Sequence, residues 1–327
     1  MAKRVIGLIG LGKMGGNLAL QAAEKKYAVI GHSRTFKEHL QAERIHQVSD
    51  LQALISELPK PRIILMFLPA GKVIDKILED LIPRLSQGDA LIDCGNSYWR
   101  DSIVREERIR KTGVHFIDCG TSGGLEGARH GACFMTGGSD EAIRVVENVL
   151  KDLATKGGYI HTGRPGMGHF VKLVHNGIEF GMLQAIAEGV NLLDKCSEKL
   201  DLAAILQCWE HGSVIRSWLI ELMRIQLQNH QTIEYIPSHV EDTGEVNWLI
   251  NDAMKMDAPI PIITQSVMQL IATRDHTRTW AKAIGLVRQS FGGHPLGEDD
   301  NIRHERASGK LDCFAEIDTD SLDVGRK

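Results

Sequence analysis

Short apolar runs alternate with amphipathic stretches along the first half of the chain. The runs are rich in β-branched and other apolar residues, and they read RVIGLIG, YAVIGHS, RIILMFLP, DALIDCG, VHFIDCG, ACFMTGG and GYIHTG. Strands that alternate with helical stretches are typical of a parallel sheet covered by helices. The pattern therefore predicts an α/β domain of the Rossmann type over residues 1–165.

The pattern changes near residue 166. The segment HTGRPGMG places glycines and a proline where regular structure is interrupted, and later stretches such as MLQAIAEGVNLLDK and LDLAAILQCWEH have helical spacing. An all-α domain is expected over residues 166–295. Residues 296–327 are acidic with little periodicity, which predicts an extended or partly disordered tail.

The amino-acid composition argues against a nucleic-acid-binding protein, a membrane protein and a metalloprotein. The 327 residues are 43% hydrophobic and 24% charged, which leaves room for two domains. A net charge of −4 and a pI near 6.4 argue against a nucleic-acid partner. No run approaches the ~18 apolar residues of a membrane span. Six cysteines lack C-x-x-C pairing and fourteen histidines lack an H-x-x-x-H pair, so we expect a cytoplasmic protein without a metal site.

The sequence GLGKMG follows the first predicted strand and precedes a helical stretch, which is the context that a dinucleotide-binding G-x-G-x-x-G motif requires. Gly10 would allow the tight turn, Gly12 the close approach of a pyrophosphate, and Gly15 the close packing of helix on sheet. The pyrophosphate would lie at the helix N-terminus. The alternative is a glycine turn with only a structural role.

The end of the second strand bears on which dinucleotide is bound. Ser33, Arg34 and Thr35 supply a cation and hydroxyls there but no carboxylate. A carboxylate would bind the ribose 2′-hydroxyl of NAD, whereas a cation accommodates the 2′-phosphate of NADP. NADP is therefore favoured over NAD, unless Arg34 is simply a solvated residue on a turn.

Two later loops, DCGNSYWRD and CGTSGGLEGARHG, follow apolar strands. Ligands of parallel sheets bind at the C-terminal ends of the strands. In the second loop, Ser122 with Gly123 and Gly124 can present a hydroxyl and successive backbone N–H groups to an anion. An ordinary glycine turn is the alternative.

The segment GHFVKLVHNGIEFG carries four polar side chains on one helical face. Lys172, His175, Asn176 and Glu179 fall within an arc of roughly 100°. A solvated face is the alternative, but His and Asn are unusual on such a face, and the segment lies at the predicted domain junction. A lysine and a carboxylate about two turns apart could act as base and acid on a small substrate.

The chain resembles the short form of the decarboxylating 6-phosphogluconate dehydrogenases, within the β-hydroxyacid dehydrogenase superfamily. The resemblance covers residues 1 to about 295 and rests on GLGKMGGNLA, SRT, IDCGNSYWRD, SGGLEGARHG, GHFVKLVHNGIEFG and RQSFGGH. It implies oxidative decarboxylation of a sugar acid, with Lys172 as the base at the C3 hydroxyl and Glu179 as the acid that protonates the enediol. It also implies an intertwined homodimer or homotetramer.

The resemblance further implies which residues bind the ligands. The substrate would be bound by Asn96, Ser122, Gly123, Gly124, His175, Asn176, Arg288 and His294, the last two from a neighbouring subunit. The cofactor, NADP or NAD, would be bound by Gly10, Gly12, Met14, Gly15, Ser33, Arg34, Thr35, Leu68 and Asn96.

Three positions depart from the family pattern at the substrate's C6 phosphate. Phe180 replaces a tyrosine, Asn247 replaces a lysine or arginine, and Leu270 replaces an arginine. A buried phosphate without donors would be costly. Either Arg274, Arg288 or another residue compensates and the substrate is 6-phosphogluconate, or C6 carries a sulfonate or a free hydroxyl.

Two other functions are open from the sequence. A β-hydroxyacid dehydrogenase that does not decarboxylate would release no CO₂ and tolerate Glu179→Gln. A cofactor-binding sensor or scaffold would need neither Lys172 nor Glu179, so the presence of both favours an enzyme.

Overall fold

The computed structural model describes residues 4–43, 45–196, 198–230 and 233–308. These residues contain an eight-stranded sheet in the order β3-β2-β1-β4-β5-β6-β7-β8. The strands are β1 (Arg4–Ile9), β2 (Tyr27–His32), β3 (His46–Val48), β4 (Ile63–Met66), β5 (Ala90–Asp93), β6 (His115–Ser122), β7 (Ala132–Gly137) and β8 (Ala154–Gly163).

Helices connect the strands and make up the rest of the described chain. The helices of the sheet region are α1 (Lys13–Glu24), α2 (Glu38–Ala42), α3 (Leu51–Glu57), α4 (Lys72–Leu81), α5 (Trp99–Arg110), α6 (Gly124–His130) and α7 (Asp140–Leu153), with a 3₁₀ turn at Ile82–Arg84. The later helices are α8 (Met167–Asp194), α9 (Leu202–Glu210), α10 (Trp218–His230), α11 (Glu245–Lys255), α12 (Pro261–Arg274), α13 (Thr279–Gly292) and α14 (Asp300–Ser308).

The predicted α/β class, with a helical region after it, is confirmed. Each of the strands β1 to β6 runs parallel to its neighbours within this group, and all seven predicted strands are present. The three-residue β3 was missed because it is too short to show a period. Strand β7 runs antiparallel to β6, against the expectation of an all-parallel sheet. The connection between them, residues 123–131, is shorter than the dozen or so residues that a parallel crossover needs.

The sheet is buried on both faces, as its continuous apolar strands require. Leu65 packs in one apolar layer with helices α1 and α7. Its neighbours Ile64 and Met66 point into the other layer, with α3, α4 and α5. This alternation fixes the strand register, because a one-residue slip would exchange the two layers.

The chain forms two compact units, and helix α8 is divided between them. One unit runs through Gly177 and includes Gly244–Ala258, while Ile178–Thr243 and the residues from Pro259 onward form the other. The first half of α8 groups with the sheet because it packs directly on β6. In the other unit, Val190, Leu206 and Ile220 form a small core between α8, α9 and α10.

The predicted tail is partly helical. Helix α14 lies within residues 296–327, so the extended reading does not hold for this part, and residues 309–327 lie outside the described residues. The helix is polar and lacks the apolar periodicity by which a helix is recognised.

Candidate active site

The glycine loop has the geometry that a bound pyrophosphate needs. Gly10 has φ +94°, and a Cβ there would lie 2.2 Å from the Phe67 carbonyl oxygen. A Cβ at Gly15 would lie 2.0 Å from the Gly10 oxygen, whereas no atom lies within 4 Å of the corresponding position at Gly12. The sequence placed the tight turn and the close packing at these same glycines.

The N-terminus of α1 is open to an anion. Gly12 precedes the helix and no side chain caps it, and the first turn contains no acidic residue. Its free N–H groups and helix dipole favour a phosphate group. Met14 lies half-buried in this turn. The residues present therefore fit the diphosphate of a dinucleotide.

The strand order also indicates where on the sheet a ligand would bind. The order β3-β2-β1-β4-β5-β6 is that of a doubly wound sheet, whose ligands bind where the order reverses, between β1 and β4. Leu68 follows β4 there, and its Cδ2 would lie 3.4 Å from a Cβ at Gly10. Leu68 and the glycine loop therefore lie side by side, as their assignment to one cofactor requires.

The segment after β2 supplies the predicted polar groups next to this loop. The Gly10 N–H donates to the carbonyl oxygen of His32, the last residue of β2, at 2.9 Å. Ser33 Oγ donates to the Thr35 carbonyl oxygen at 2.6 Å, and Arg34 is exposed. Arg34 is therefore free to extend along the surface, and its contact with a 2′-phosphate stays a prediction.

The loop after β5 is held by a buried carboxylate. Asp93 accepts hydrogen bonds from the Gly95 N–H at 3.1 Å and from Ser97 Oγ at 2.7 Å. Asn96 lies between these anchors with its side chain exposed. A Cβ at Gly95 would lie 2.6 Å from the Leu68 carbonyl oxygen, so this loop packs directly on the loop after β4.

Helix α8 is docked on β6 by its first turn. The buried Asp118 carboxylate accepts from the Gly166 N–H at 2.6 Å and from the His169 N–H at 2.8 Å. These bonds satisfy two of the N–H groups that a helix start leaves unpaired. A Cβ at Gly168 would lie 2.5 Å from the Asp118 carbonyl oxygen, so backbone and helix are in close contact. The position of Lys172 is set by this docking.

Four predicted polar residues form one connected cluster. Lys172 Nζ lies 3.4 Å from His175 Nδ1, which lies 3.1 Å from Asn176 Oδ1. His175 Nε2 lies 3.0 Å from Ser122 Oγ, on the loop whose Gly123 and Gly124 both have positive φ. Lys172 and Asn176 are buried. The solvated-face alternative is therefore wrong for these two residues.

The charge of Lys172 affects the pKa of a neighbouring thiol, that of Cys133. Burial raises the pKa of the Cys133 thiol, and the positive charge of Lys172 partly opposes this rise. Cys133 on β7 is paired in register with Ser122 on β6. The lysine therefore lies within Coulombic reach of the end of β6, where the substrate carboxylate is predicted to bind.

Sequence reasoning missed three residues of this cleft. Asn176 Nδ2 donates to Glu245 Oε1 at 3.4 Å, and His169 and Trp248 line the same cleft as Lys172. Glu245 and Trp248 lie in the GEVNW segment, in which the sequence pattern identified only Asn247. His169 lies three residues before Lys172, and this helical spacing predicts that the two side chains share one face of α8.

The remaining predicted residues lie in the other unit. Glu179 is half-buried on α8, seven residues after Lys172, and therefore on the same helical face. Arg288 is exposed on α13, and the His294 ring lies 5.9 Å from the ring of Phe291. Their contacts with a substrate stay predictions.

The sequence predicts neither a metal site nor a membrane-spanning helix. Within the described residues, no group of three or more His, Cys, Asp or Glu side chains is arranged to hold a metal ion. No helix in the same part of the chain has the length and apolar character needed to cross a membrane.

The sheet order, the open glycine loop and the helical region after it define an NAD(P)-dependent oxidoreductase of the Rossmann type. The family model for the NAD binding domain of 6-phosphogluconate dehydrogenase matches residues 5–163. The model for the 6-phosphogluconate dehydrogenase C-terminal domain matches residues 168–304. The chain belongs to the 6-phosphogluconate dehydrogenase family.

Two curated relatives match almost end to end. A putative 6-phosphogluconate dehydrogenase, YqeC, from Bacillus subtilis is 39% identical, and the alignment covers 88% of this chain and 98% of the relative. The NAD(+)-dependent decarboxylating 6-phosphogluconate dehydrogenase of Haloferax volcanii is 32% identical, with 90% and 99% covered.

The structure of a longer relative is known. The 6-phosphogluconate dehydrogenase of Plasmodium falciparum, studied with NADP+ and with 6-phosphogluconate, is 26% identical with a TM-score of 0.76, and 90% of this chain and 66% of that one are covered. A 3-hydroxyisobutyrate dehydrogenase of Mycobacterium tuberculosis, 19% identical with a TM-score of 0.67, shares the fold.

Proposed function

We propose that this chain catalyses the oxidative decarboxylation of 6-phosphogluconate to ribulose 5-phosphate and CO₂, with reduction of NADP or NAD. The observation that carries the proposal is the cluster of Lys172, His175 and Asn176 on α8 with Ser122 on the neighbouring loop. It offers a buried amine among groups that bind hydroxyls and carboxylates. The relative from Haloferax volcanii is named a decarboxylating 6-phosphogluconate dehydrogenase, and the relative from Plasmodium falciparum a 6-phosphogluconate dehydrogenase.

Lys172 acts first as the base. Its neutral amine takes the proton of the C3 hydroxyl as hydride leaves C3, and the nicotinamide, when bound, accepts that hydride. The amine is buried, and its Nζ lies 3.4 Å from His175 Nδ1. Ser122, His175 and Asn176 hold the substrate carboxylate and hydroxyls in place, together with Asn96, Gly123 and Gly124.

Decarboxylation follows from the 3-keto acid. Protonated Lys172 polarises the new carbonyl, so the electron pair of the breaking C1–C2 bond moves toward its oxygen and CO₂ leaves. The lysine returns its proton to that oxygen, which gives an enediol. Glu179 then protonates C1 of the five-carbon enediol while Lys172 takes back the proton of the C2 hydroxyl, and the product is a ketopentose.

NADP is the proposed cofactor, with NAD as the second choice. The glycine loop accommodates the diphosphate shared by both. The segment Ser33, Arg34 and Thr35 offers a cation and hydroxyls in the position where a carboxylate would favour NAD. A 2′-phosphate is therefore better accommodated.

The enzyme is proposed to be a homodimer or homotetramer. Helix α13 exposes Trp280, Ile284, Val287 and Phe291, each at 52–73% of its surface. Their spacing forms one apolar stripe of the kind that a subunit interface covers. Arg288 on this helix and His294 just after it would then reach the site of a neighbouring subunit.

An altered C6 group is the second candidate. The compensating cation Arg274 already donates to Asp242 Oδ2 at 2.6 Å and to the Val240 carbonyl oxygen at 2.9 Å. With Phe180, Asn247 and Leu270 at the three divergent positions, a doubly charged phosphate loses several donors. The same chemistry would then act on 6-deoxy-6-sulfogluconate or gluconate.

The experiment compares turnover of 6-phosphogluconate, gluconate and 6-deoxy-6-sulfogluconate while CO₂ is measured. A strong preference for 6-phosphogluconate overturns the second candidate, and a preference for another substrate overturns the first. Oxidation without CO₂, together with an active Glu179→Gln variant, would show a non-decarboxylating dehydrogenase. Lys172→Ala should lose about 10²–10⁴-fold in kcat and keep its fold and cofactor affinity. A cofactor-binding scaffold predicts no turnover by the wild type.

A further inference from the structure

His169 is a buried imidazole in the first turn of α8. It is 2% exposed, its Nδ1 lies 2.8 Å from Ser102 Oγ, and its backbone N–H donates to Asp118. Its Nε2 is buried and makes no hydrogen bond to any described residue. Buried polar atoms without a partner are rare in folded proteins, and each calls for a physical reason.

The imidazole belongs to the wall of the proposed site. His169 lines the same small cleft as Lys172 and Asn176, together with Asn96 and Glu245. Positions 169, 172 and 176 follow the i, i+3, i+7 spacing and share one face of α8. An unpaired ring nitrogen therefore lies one helical turn from the proposed base.

We propose that His169 is a substrate-positioning residue whose Nε2 hydrogen-bonds a hydroxyl group of the bound sugar acid. This inference rests on the proposed function. Nε2 is buried, so side chains of the cleft wall must shift when the sugar acid binds, as interface side chains commonly do.

The chemistry of the ring identifies a hydroxyl as the partner. When Ser102 Oγ donates to Nδ1, Nε2 carries the proton and donates; when Nδ1 donates to Ser102, Nε2 accepts. A hydroxyl both donates and accepts, so it satisfies Nε2 in either tautomer. A carboxylate satisfies only one of them.

Two amide variants separate this role from a purely structural one. His169→Asn places an amide near the position of Nδ1, where it can keep the Ser102 contact, and removes Nε2. His169→Gln reaches the position of Nε2 and gives up the contact with Ser102. We expect His169→Asn to lose about tenfold or more in kcat/KM for 6-phosphogluconate, with unchanged cofactor KM and Tm. His169→Gln should keep more of kcat/KM and lose Tm.

Ser102→Ala serves as the matched control. It removes the partner of Nδ1 and leaves Nε2, so it should lower Tm and keep kcat/KM within about threefold. A structural role for His169 predicts the reverse order, with His169→Asn like the wild type and His169→Gln impaired in both properties. That result, or equal kcat/KM for His169→Asn and the wild type, overturns the proposal.

Equilibrium binding of 6-phosphogluconate, measured by calorimetry, separates this inference from the proposed function. A wild type that binds without turnover contradicts the proposed function, and the variants still test His169 through their affinities. A wild type that turns the substrate over while His169→Asn binds it equally well contradicts His169 alone. A wild type that does not bind it overturns both.

Discussion

Gly120 on β6 and Lys172 on α8 are in such close contact that a Cβ atom at Gly120 would lie 2.3 Å from the Cβ of Lys172. The same atom would lie 2.9 Å from the Gly168 carbonyl oxygen. Because no real Cβ is found so close to another heavy atom, only glycine allows α8 to pack here. A residue fifty-two positions earlier in the chain thus determines where the proposed base lies.

Gly120→Ala should displace Lys172 and lower kcat by about 10²-fold, because a shift near 1 Å in a reacting group has an effect of this size. Affinity for the cofactor should change little. Gly138→Ala is the control, since its nearest atoms would be in ordinary contact at 3.5 Å. Steady-state kinetics with cofactor titrations compare the two. Wild-type kcat in Gly120→Ala would contradict the proposed role of this contact.

Gly12→Ala and Gly15→Ala should fail in different ways. A Cβ at Gly15 would clash with the Gly10 oxygen at 2.0 Å, so this variant should lose thermal stability as well as cofactor binding. The added methyl at Gly12 meets no atom of the chain, so Tm without cofactor should hold while cofactor affinity falls about tenfold or more. Thermal unfolding with and without NADP measures both effects. Equal losses of Tm would refute the assignment of Gly12 to the pyrophosphate.

Arg34→Ala should weaken NADP binding by about 10–100-fold, the range of a lost charge-assisted hydrogen bond of roughly 1.5–3 kcal/mol. Affinity for NAD should stay within about threefold because NAD has no 2′-phosphate. Arg34 is exposed, so Tm should not change. Arg110→Ala, another exposed cation, controls for the loss of net charge. Equal weakening of both cofactors, measured by calorimetry, would rule out a 2′-phosphate contact.

The buried Asp252 predicts an acid-dependent loss of stability. Burial alone would raise the pKa of its carboxyl, but hydrogen bonds from Trp99, Tyr98 and Arg100 outweigh it and hold the pKa below its usual value. A lowered pKa stabilises the fold above the unfolded-state pKa of about 3.9, and this stability is lost as pH falls through the folded-state pKa.

Asp252→Asn should therefore unfold more easily than the wild type at pH 7, by about 1.5–3 kcal/mol, the range for hydrogen bonds to a charged group. The difference should shrink as pH falls below about 4. Urea unfolding at pH 7, 4 and 3 measures it. The exposed Asp140→Asn should differ little from the wild type at each pH. A difference for Asp252→Asn that is independent of pH would show that the carboxylate charge is not involved.

The sequence predicted those parts of the site that depend on near neighbours in the chain. The spacing of Gly10, Gly12 and Gly15 predicted a turn and a helix start, because only local backbone geometry decides them. Helical periodicity placed Lys172 and Asn176 on one face, since 3.6 residues per turn fixes which side chains point together.

Contacts between distant segments could not be predicted in this way. Nothing within GEVNW indicates that Glu245 accepts a hydrogen bond from Asn176, because that contact exists only once α11 packs beside the first half of α8 within the first unit. The direction of β7 likewise followed from the length of its connection to β6 and not from its own apolar pattern.

The sequence by itself determined the α/β class, the glycine loop and the polar face of α8, because each is encoded by residues a few positions apart. Only the tertiary structure decided that Lys172 is buried, that Gly120 fixes its position and that His169 joins the cleft. Burial and close contact depend on segments that lie far apart in the chain and meet only in the folded protein. The residue types of such segments are compatible with many packing arrangements, so the sequence pattern alone does not predict which one forms.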